Sequence, residues 1–338
     1  MKKATSLGLT LLLAVSLTAC ATSSSIKAGS ATAQALVKLL PKSTGGVIAL
    51  DVHRAMSLAA TAKALKNPMA KEKYDEFIKV AGIDPMKDVY LLVIGFTGAS
   101  NAMIEEGGAI VNLNYQKDRL LALIKDRAPN HGEELYNGVT VYSNLDDGKD
   151  KQATWAAFLD DSNISFGSEK GVKGIIDVYQ KRAESAWKNA ALTGNLKKVD
   201  QQAIAWGAFA VPPDLVKKGA QSTPQLKVLE GVTALTFSFD VRLSNYIADI
   251  RTLGGTKEQN EELAKTVTGL KAMGSMLAGQ EPAIGDFLKA VEITSGKDYT
   301  RLYISLGEEL MDKLAKLAQE RAGKFIKVPK DGPQGEIK

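Results

Sequence analysis

The sequence is short of the residues that most often carry chemistry. One cysteine, Cys20, stands among 338 residues, which excludes an intrachain disulfide. Two histidines, His53 and His131, are too few for a zinc site of the common kinds, and neither an HExxH pair nor a second thiol accompanies them. No G-x-S-x-G elbow presents a serine nucleophile. Aromatic residues make up 6% of the chain and no apolar run approaches the roughly 20 residues that a membrane-spanning helix needs. Charge of one sign is lacking as well. The formal charge is +5, and without Lys2 and Lys3 the count is 41 basic against 38 acidic residues. Basic residues come in short pairs such as Lys197-Lys198 and Lys217-Lys218, without interleaved aromatics, so a nucleic-acid surface is excluded.

What is present is a globular composition, 45% apolar with 30 glycines and 10 prolines, long enough for one large domain or two modest ones. The amino terminus is the most distinctive part. Met1-Lys2-Lys3 is positive, and Leu7 to Leu17 is an apolar run of eleven residues followed by small residues, the pattern of a secretory signal peptide over residues 1–19.

That run ends in Leu17-Thr18-Ala19-Cys20, which resembles the lipobox of bacterial lipoproteins at every position. The resemblance implies that Leu17, Thr18 and Ala19 form the recognition site of signal peptidase II, which cuts after Ala19. It further implies that the Cys20 thiol carries a diacylglyceryl group, so that membrane lipid is a partner through acylated Cys20. In lipoproteins of two-membrane bacteria an aspartate after the cysteine retains the protein at the inner membrane. Ala21 stands there, so the outer membrane is favoured. Two or three acyl chains, at about 0.8 kcal/mol per buried CH₂, suffice for stable anchoring.

Residues 20–35 are small and polar and are expected to form a flexible tether, and residues 323–338, with two prolines and two glycines, a disordered tail. Between them, stretches rich in Val, Ile and Leu alternate with stretches of 3.6-residue periodicity. Strands are expected at Val47–Val52, Val89–Phe96, Gly108–Leu113 and Val139–Tyr142, then at Thr154–Leu159 and Ile164–Phe166, with a helix from Glu169 to about Trp187. After residue 190 the order repeats through Ala203–Val211, Val232–Val241, Tyr246–Leu253, a helix over Lys257–Leu277, Val291–Thr294, Thr300–Ser305 and a helix over Leu306–Arg321. Both halves, 36–190 and 191–322, read β-α-β-β-α-β with extras. This order predicts an α+β fold of two split-βαβ (ferredoxin-like) sheets, each with helices on one face, related by an internal duplication. A single continuous α+β domain is the alternative.

Candidate chemistry inside the body is sparse. Asp51-Val52-His53 closes the first strand, and strand alternation would put Asp51 and His53 on one face, where a carboxylate could orient an imidazole. They form the candidate polar site; no metal ligand set, cofactor or catalytic residue is assigned. Gly167, Gly171 and Gly174 lack the spacing of a dinucleotide loop, and Ser168 is expected to cap a helix with Gly171 at its third position. Gly269 to Ser275 has P-loop glycine spacing without the lysine and lies in helical periodicity. Trp155, Trp187 and Trp206 are expected in the core, as are Met273 and Met276.

A second resemblance rests on Leu40-Pro41-Lys42-Ser43-Thr44 before a strand ending in Asp51, and on Gly82-Ile83-Asp84-Pro85-Met86-Lys87-Asp88 before the next strand. These segments are similar to exported bacterial proteins of domain-of-unknown-function type, in which a GxDPxxD-like turn enters a strand. Taken together, the resemblances imply a membrane-anchored envelope lipoprotein whose body is a non-catalytic binding or structural module for a protein, glycan or lipid ligand. A lipid-anchored envelope enzyme using dispersed acidic residues is the alternative.

Overall fold

The structure is a computed structural model that describes residues 26–97, 99–100, 103–104, 106–145, 154–222 and 224–325. The expected signal peptide, the lipobox-like segment with Cys20 and residues 326–338 of the expected tail lie outside the described residues. The chain begins with α1 (Ala33–Val37), β1 (Gly46–Asp51), α2 (Val52–Met56), α3 (Ala59–Ala64), α4 (Pro68–Ala81) and β2 (Val89–Phe96). A small hairpin of β3 (Ala99–Ser100) and β4 (Met103–Ile104) precedes β5 (Gly107–Leu113) and α5 (Lys117–Arg127). Four strands follow, β6 (Gly132–Tyr136), β7 (Val139–Ser143), β8 (Trp155–Asp160) and β9 (Asn163–Gly167), then α6 (Glu169–Tyr179), a 3₁₀ turn at Ala186–Lys188 and α7 (Ala190–Leu196). The remainder comprises β10 (Ala205–Ala210), α8 (Pro213–Ser222), β11 (Val232–Arg242), β12 (Asn245–Gly254), α9 (Lys257–Leu277), α10 (Pro282–Ala290), β13 (Val291–Ser295), β14 (Tyr299–Gly307) and α11 (Glu308–Phe325).

Local chemistry explains the boundaries. Asn67 caps α4, its side-chain oxygen accepting from the Met69 and Ala70 amides, with Pro68 at the first helical position. Gly82 ends α4 at φ +70°, a left-handed conformation that glycine adopts freely. Asp84 then organises the turn into β2. Its carboxylate accepts from the Met86 amide at 3.0 Å and from the Tyr74 hydroxyl, and its backbone amide donates to Asp88 at 2.8 Å. The Tyr74 hydrogen bond and Lys87 hold the Asp84 carboxyl below the usual range against its partial burial. Ser168 caps α6 by accepting from Gly171, as expected from the sequence. That helix stops at Tyr179 rather than near Trp187, because Lys181 takes a left-handed φ of +59° and the Arg182 amide turns back to the Asp177 carbonyl.

The expected pair of ferredoxin-like sheets is not what forms. Twelve strands make one sheet in the order β13-β14-β12-β11-β10-β1-β2-β5-β9-β8-β7-β6. Every ladder in it is antiparallel. A split-βαβ unit joins two parallel strands through a helix and inserts a third strand between them, whereas β1 and β2, joined by α2, α3 and α4, are direct antiparallel neighbours. Here β1 lies between β2 and β10, with Ile48 opposite both Ile94 and Gly207, so the sheets expected for the two halves merge through β1 and β10. Lys63 of α3 adds a second tie, pairing with Glu308 and Asp312 of α11 at 2.8 Å each.

The sheet has two unlike faces. On one, Val47, Ala49, Leu91, Val93, Ile110, Trp206 and Ala208 are buried beneath α1, α6 and α7 and form the main core. On the other, α4 and α5 cover Val111 and Ile164 at one flank, and α9, α10 and α11 cover β13 and β14 at the opposite flank. Between these flanks Ile48, Ile94, Phe209, Leu235 and Phe237 form a part-buried apolar strip. Gly207 makes room there, since a Cβ at that position would collide with the Phe237 ring.

The segment expected to be a tether is already part of the body from Ile26 onward. Ile26 packs against the main core, and two fully buried asparagines hold the segment down. Asn112 accepts from the Gly29 amide at 3.1 Å and donates to Asn163 at 2.9 Å; Asn163 donates to the Ile26 carbonyl and to Asp160. Asn112→Ala strands several buried partners at once and is expected to lower unfolding stability by about 2 kcal/mol. Denaturant titration checks this, and a loss below about 0.5 kcal/mol would show that the pair is dispensable.

Candidate functional site

The two residues singled out from sequence do not make a site. Alternation across Asp51 and His53 fails because the chain leaves the strand at Asp51 and α2 begins at Val52. Asp51 is the N-cap, its carboxylate accepting from the Arg54 amide at 2.9 Å. His53 lies in the first turn, tilted beside Tyr90 at 5.7 Å between ring centroids, and makes no side-chain hydrogen bond to another described residue. Arg54 turns instead to Asp240, donating at 2.9 Å, and to the Gln202 carbonyl at 2.7 Å. Arg242 completes the set, donating to Asp240 at 2.8 Å and to Asp200 at 2.5 Å. A buried carboxylate with two guanidiniums is a satisfied structural network that ties α2 to β11. His131 sits apart at the start of β6, with Nδ1 2.6 Å from the Ala128 carbonyl and Nε2 3.2 Å from Glu133. Among the described residues no group of three His, Cys, Asp or Glu side chains is placed to hold a metal ion.

The feature with the form of a binding site lies elsewhere, between α4 and α5. A groove of about 500 Å³ opens there, with Phe77, Val80 and Ala81 on one wall and Leu123, Ile124 and Ala128 on the other, and Leu145 at one end. Lys73, Glu76 and Arg127 are its charged lining residues. The two helices, with Ile83 of the turn after α4, touch the sheet through Ala81, Leu120 and Leu123, which leaves Phe77 and Ile124 facing the gap between them. Phe77 is 47% exposed, unusual for a phenylalanine in an ordered helix. Arg119 fixes the pair at one end by donating to the Lys79 carbonyl at 2.5 Å.

The sequence did carry a signal for this groove. The α4 residues Tyr74, Phe77, Ile78, Val80 and Ala81 and the α5 residues Leu120, Leu121, Leu123 and Ile124 are more apolar positions than one buried stripe requires. The tryptophans and methionines also divide differently from expectation. Trp206 is buried and Trp155 part-buried, whereas Trp187 is 40% exposed. Met273 and Met276, expected in the core, lie on the outer face of α9.

No family model matches the chain, and no curated protein matches it either. Among solved structures, crystal form III of TP0453 is similar at 11% identity with a TM-score of 0.49, over 84% of this chain and 97% of that one. Crystal form I of TP0453 gives 11% identity and a TM-score of 0.45, over 83% and 96%. The role of Asp51 is decided by its capping geometry. Asp51→Ala is expected to lower stability by about 1 kcal/mol, while His53→Ala stays within about 0.5 kcal/mol of the parent. Thermal unfolding of the two variants separates them, and equal losses would mean that the pair acts as a unit.

Proposed function

We propose that the chain is an exported lipoprotein, cleaved after Ala19, acylated at Cys20 and held at the outer membrane, whose body is a non-catalytic binding module. The lipobox residues support the anchor. The observation that carries the binding assignment is the α4–α5 groove. Its volume falls within the range of ligand sites, and seven of its ten lining residues are apolar. Such a lining offers burial in place of a nucleophile or an acid–base pair. It holds the apolar portion of a ligand by excluding water, while Lys73, Glu76 and Arg127 orient whatever polar group remains outside.

Two measurements test the two parts separately. Cys20→Ala is expected to abolish incorporation of labelled palmitate in cells, and undiminished labelling would remove the anchor. Phe77→Asp places a charge on the groove wall at an exposed position that the fold does not need. It is expected to weaken binding of the uncharged fluorophore N-phenyl-1-naphthylamine at least about tenfold, equivalent to about 1.4 kcal/mol. Equal affinity in parent and variant would show that the groove is not the site.

A further inference from the structure

The distance from Cys20 to the body limits which surface can meet a bilayer. Cys20 lies six residues before Ile26, and six extended residues reach at most about 20 Å. Ile26 is fixed, packed against the core with its carbonyl held by Asn163. With Cys20 acylated, a premise that rests on the function proposed above, the face of the body carrying Ile26 and α1 is drawn close to the membrane.

That face carries a compact basic and aromatic patch. Residues 38–42 and 181–188 lie side by side: the Lys42 amide donates to the Glu184 carbonyl at 2.9 Å, the Ala186 amide donates to the Leu40 carbonyl at 2.7 Å, and Pro41 bridges Ser185. The pairing places Lys38 and Lys42 on one stretch beside Lys181, Arg182, Trp187 and Lys188 on the other, all of them exposed. The Lys38 ammonium stands 5.8 Å from the Trp187 ring centre. Glu184 is the single carboxylate of the two segments and is taken by Lys42 at 2.7 Å. Lys42, with a smaller contribution from Lys188, holds the Glu184 carboxyl below its ordinary range. Asp177, the next acid on α6, is occupied by the Tyr136 hydroxyl and the Asn137 amide. Five cations against two carboxylates, Glu184 and Asp177, with an exposed indole beside them, match a layer of anionic headgroups over an apolar interior.

We infer that this patch is a bilayer-docking surface: Lys38, Lys42, Lys181, Arg182 and Lys188 contact anionic phospholipid headgroups, and the Trp187 indole inserts at headgroup depth. The acyl chains and the patch then act as two attachments joined by a short linker. The acyl chains fix the protein to the membrane, and the patch fixes which way the body faces.

The test uses two forms of the mature chain, residues 20–338, and vesicles of phosphatidylcholine, with or without about one-third phosphatidylglycerol. The Cys20→Ser protein, which cannot be acylated, is expected to sediment with the anionic vesicles and not with the neutral ones. Lys38→Gln and Lys188→Gln are each expected to reduce its partitioning about fivefold at low salt. In the acylated protein, lipids brominated near the headgroup are expected to quench a fraction of the tryptophan emission that disappears in Trp187→Phe. Equal sedimentation with both vesicle types, or quenching unchanged in Trp187→Phe, overturns the patch. Failure of the anchor reads out elsewhere: absence of palmitate on Cys20 leaves the Cys20→Ser sedimentation result standing, so the two ideas fall independently.

Discussion

The pairing of β1 with β10 is the interaction on which the rest of the architecture depends. Five residue pairs, from Gly46 with Phe209 to Leu50 with Ala205, join strands about 160 residues apart in the chain. Closing such a separation is entropically demanding, and it is repaid because both strands are central and bury Val47, Ala49, Trp206 and Ala208 on one face. Once β1 is shared, the sheet has one continuous core face beneath α1, α6 and α7. The helices that remain can cover only the flanks of the opposite face. The apolar strip at its centre and the groove between α4 and α5 both follow from that division of labour.

The splayed α4–α5 pair illustrates how a surplus of apolar side chains becomes a site. Each helix spends its sheet-facing residues, Ala81 on α4 and Leu120 and Leu123 on α5, on a small satellite core. Phe77, Val80 and Ile124 are then left over, at positions that would close the gap if the helices were nearer. The Asp84 turn and the Arg119 hydrogen bond to the end of α4 set the separation, so the gap is held open by polar contacts at one end. An apolar groove fixed in this way would admit the ligand proposed for it without a large rearrangement.

Much of the element order was legible in the sequence, and the strand order was not. Val89–Phe96 and Lys257–Leu277 coincide with β2 and α9 because their periodicity and caps are local properties. Strand β6, Gly-Glu-Glu-Leu-Tyr at the sheet edge, was missed because an edge strand can be polar throughout. Helix α1 was hidden in a run of small polar residues, where only Leu36 and Val37 mark a buried face. The two-sheet expectation failed for a different reason. A β-α-β-β-α-β order fixes succession and leaves pairing open, and pairing was decided by contacts between residues far apart. Asp51 and His53 failed through a shift of one residue at an element boundary: with the helix starting at Val52, alternation no longer applied and the carboxylate became a cap. Trp187 followed from the early end of α6 at Lys181, where no glycine announces the left-handed turn.

The buried asparagine pair links the fold to the proposed anchoring at Cys20. Asn112 and Asn163 secure the chain at Ile26 and Gly29, so that six residues separate Cys20 from the first held position. Were that staple released, the next firm attachment would be Leu36, sixteen residues from Cys20. The extended reach would then grow from about 20 Å to roughly 55 Å. Effective concentration at a tethered surface falls steeply as the linker lengthens beyond the span it must cover. The Trp187 patch, which relies on individually weak headgroup contacts, would then lose occupancy with every one of its own residues intact. On the proposed anchoring, two buried side-chain amides inside the body would govern how firmly an exposed surface tens of residues away in sequence is held against a bilayer.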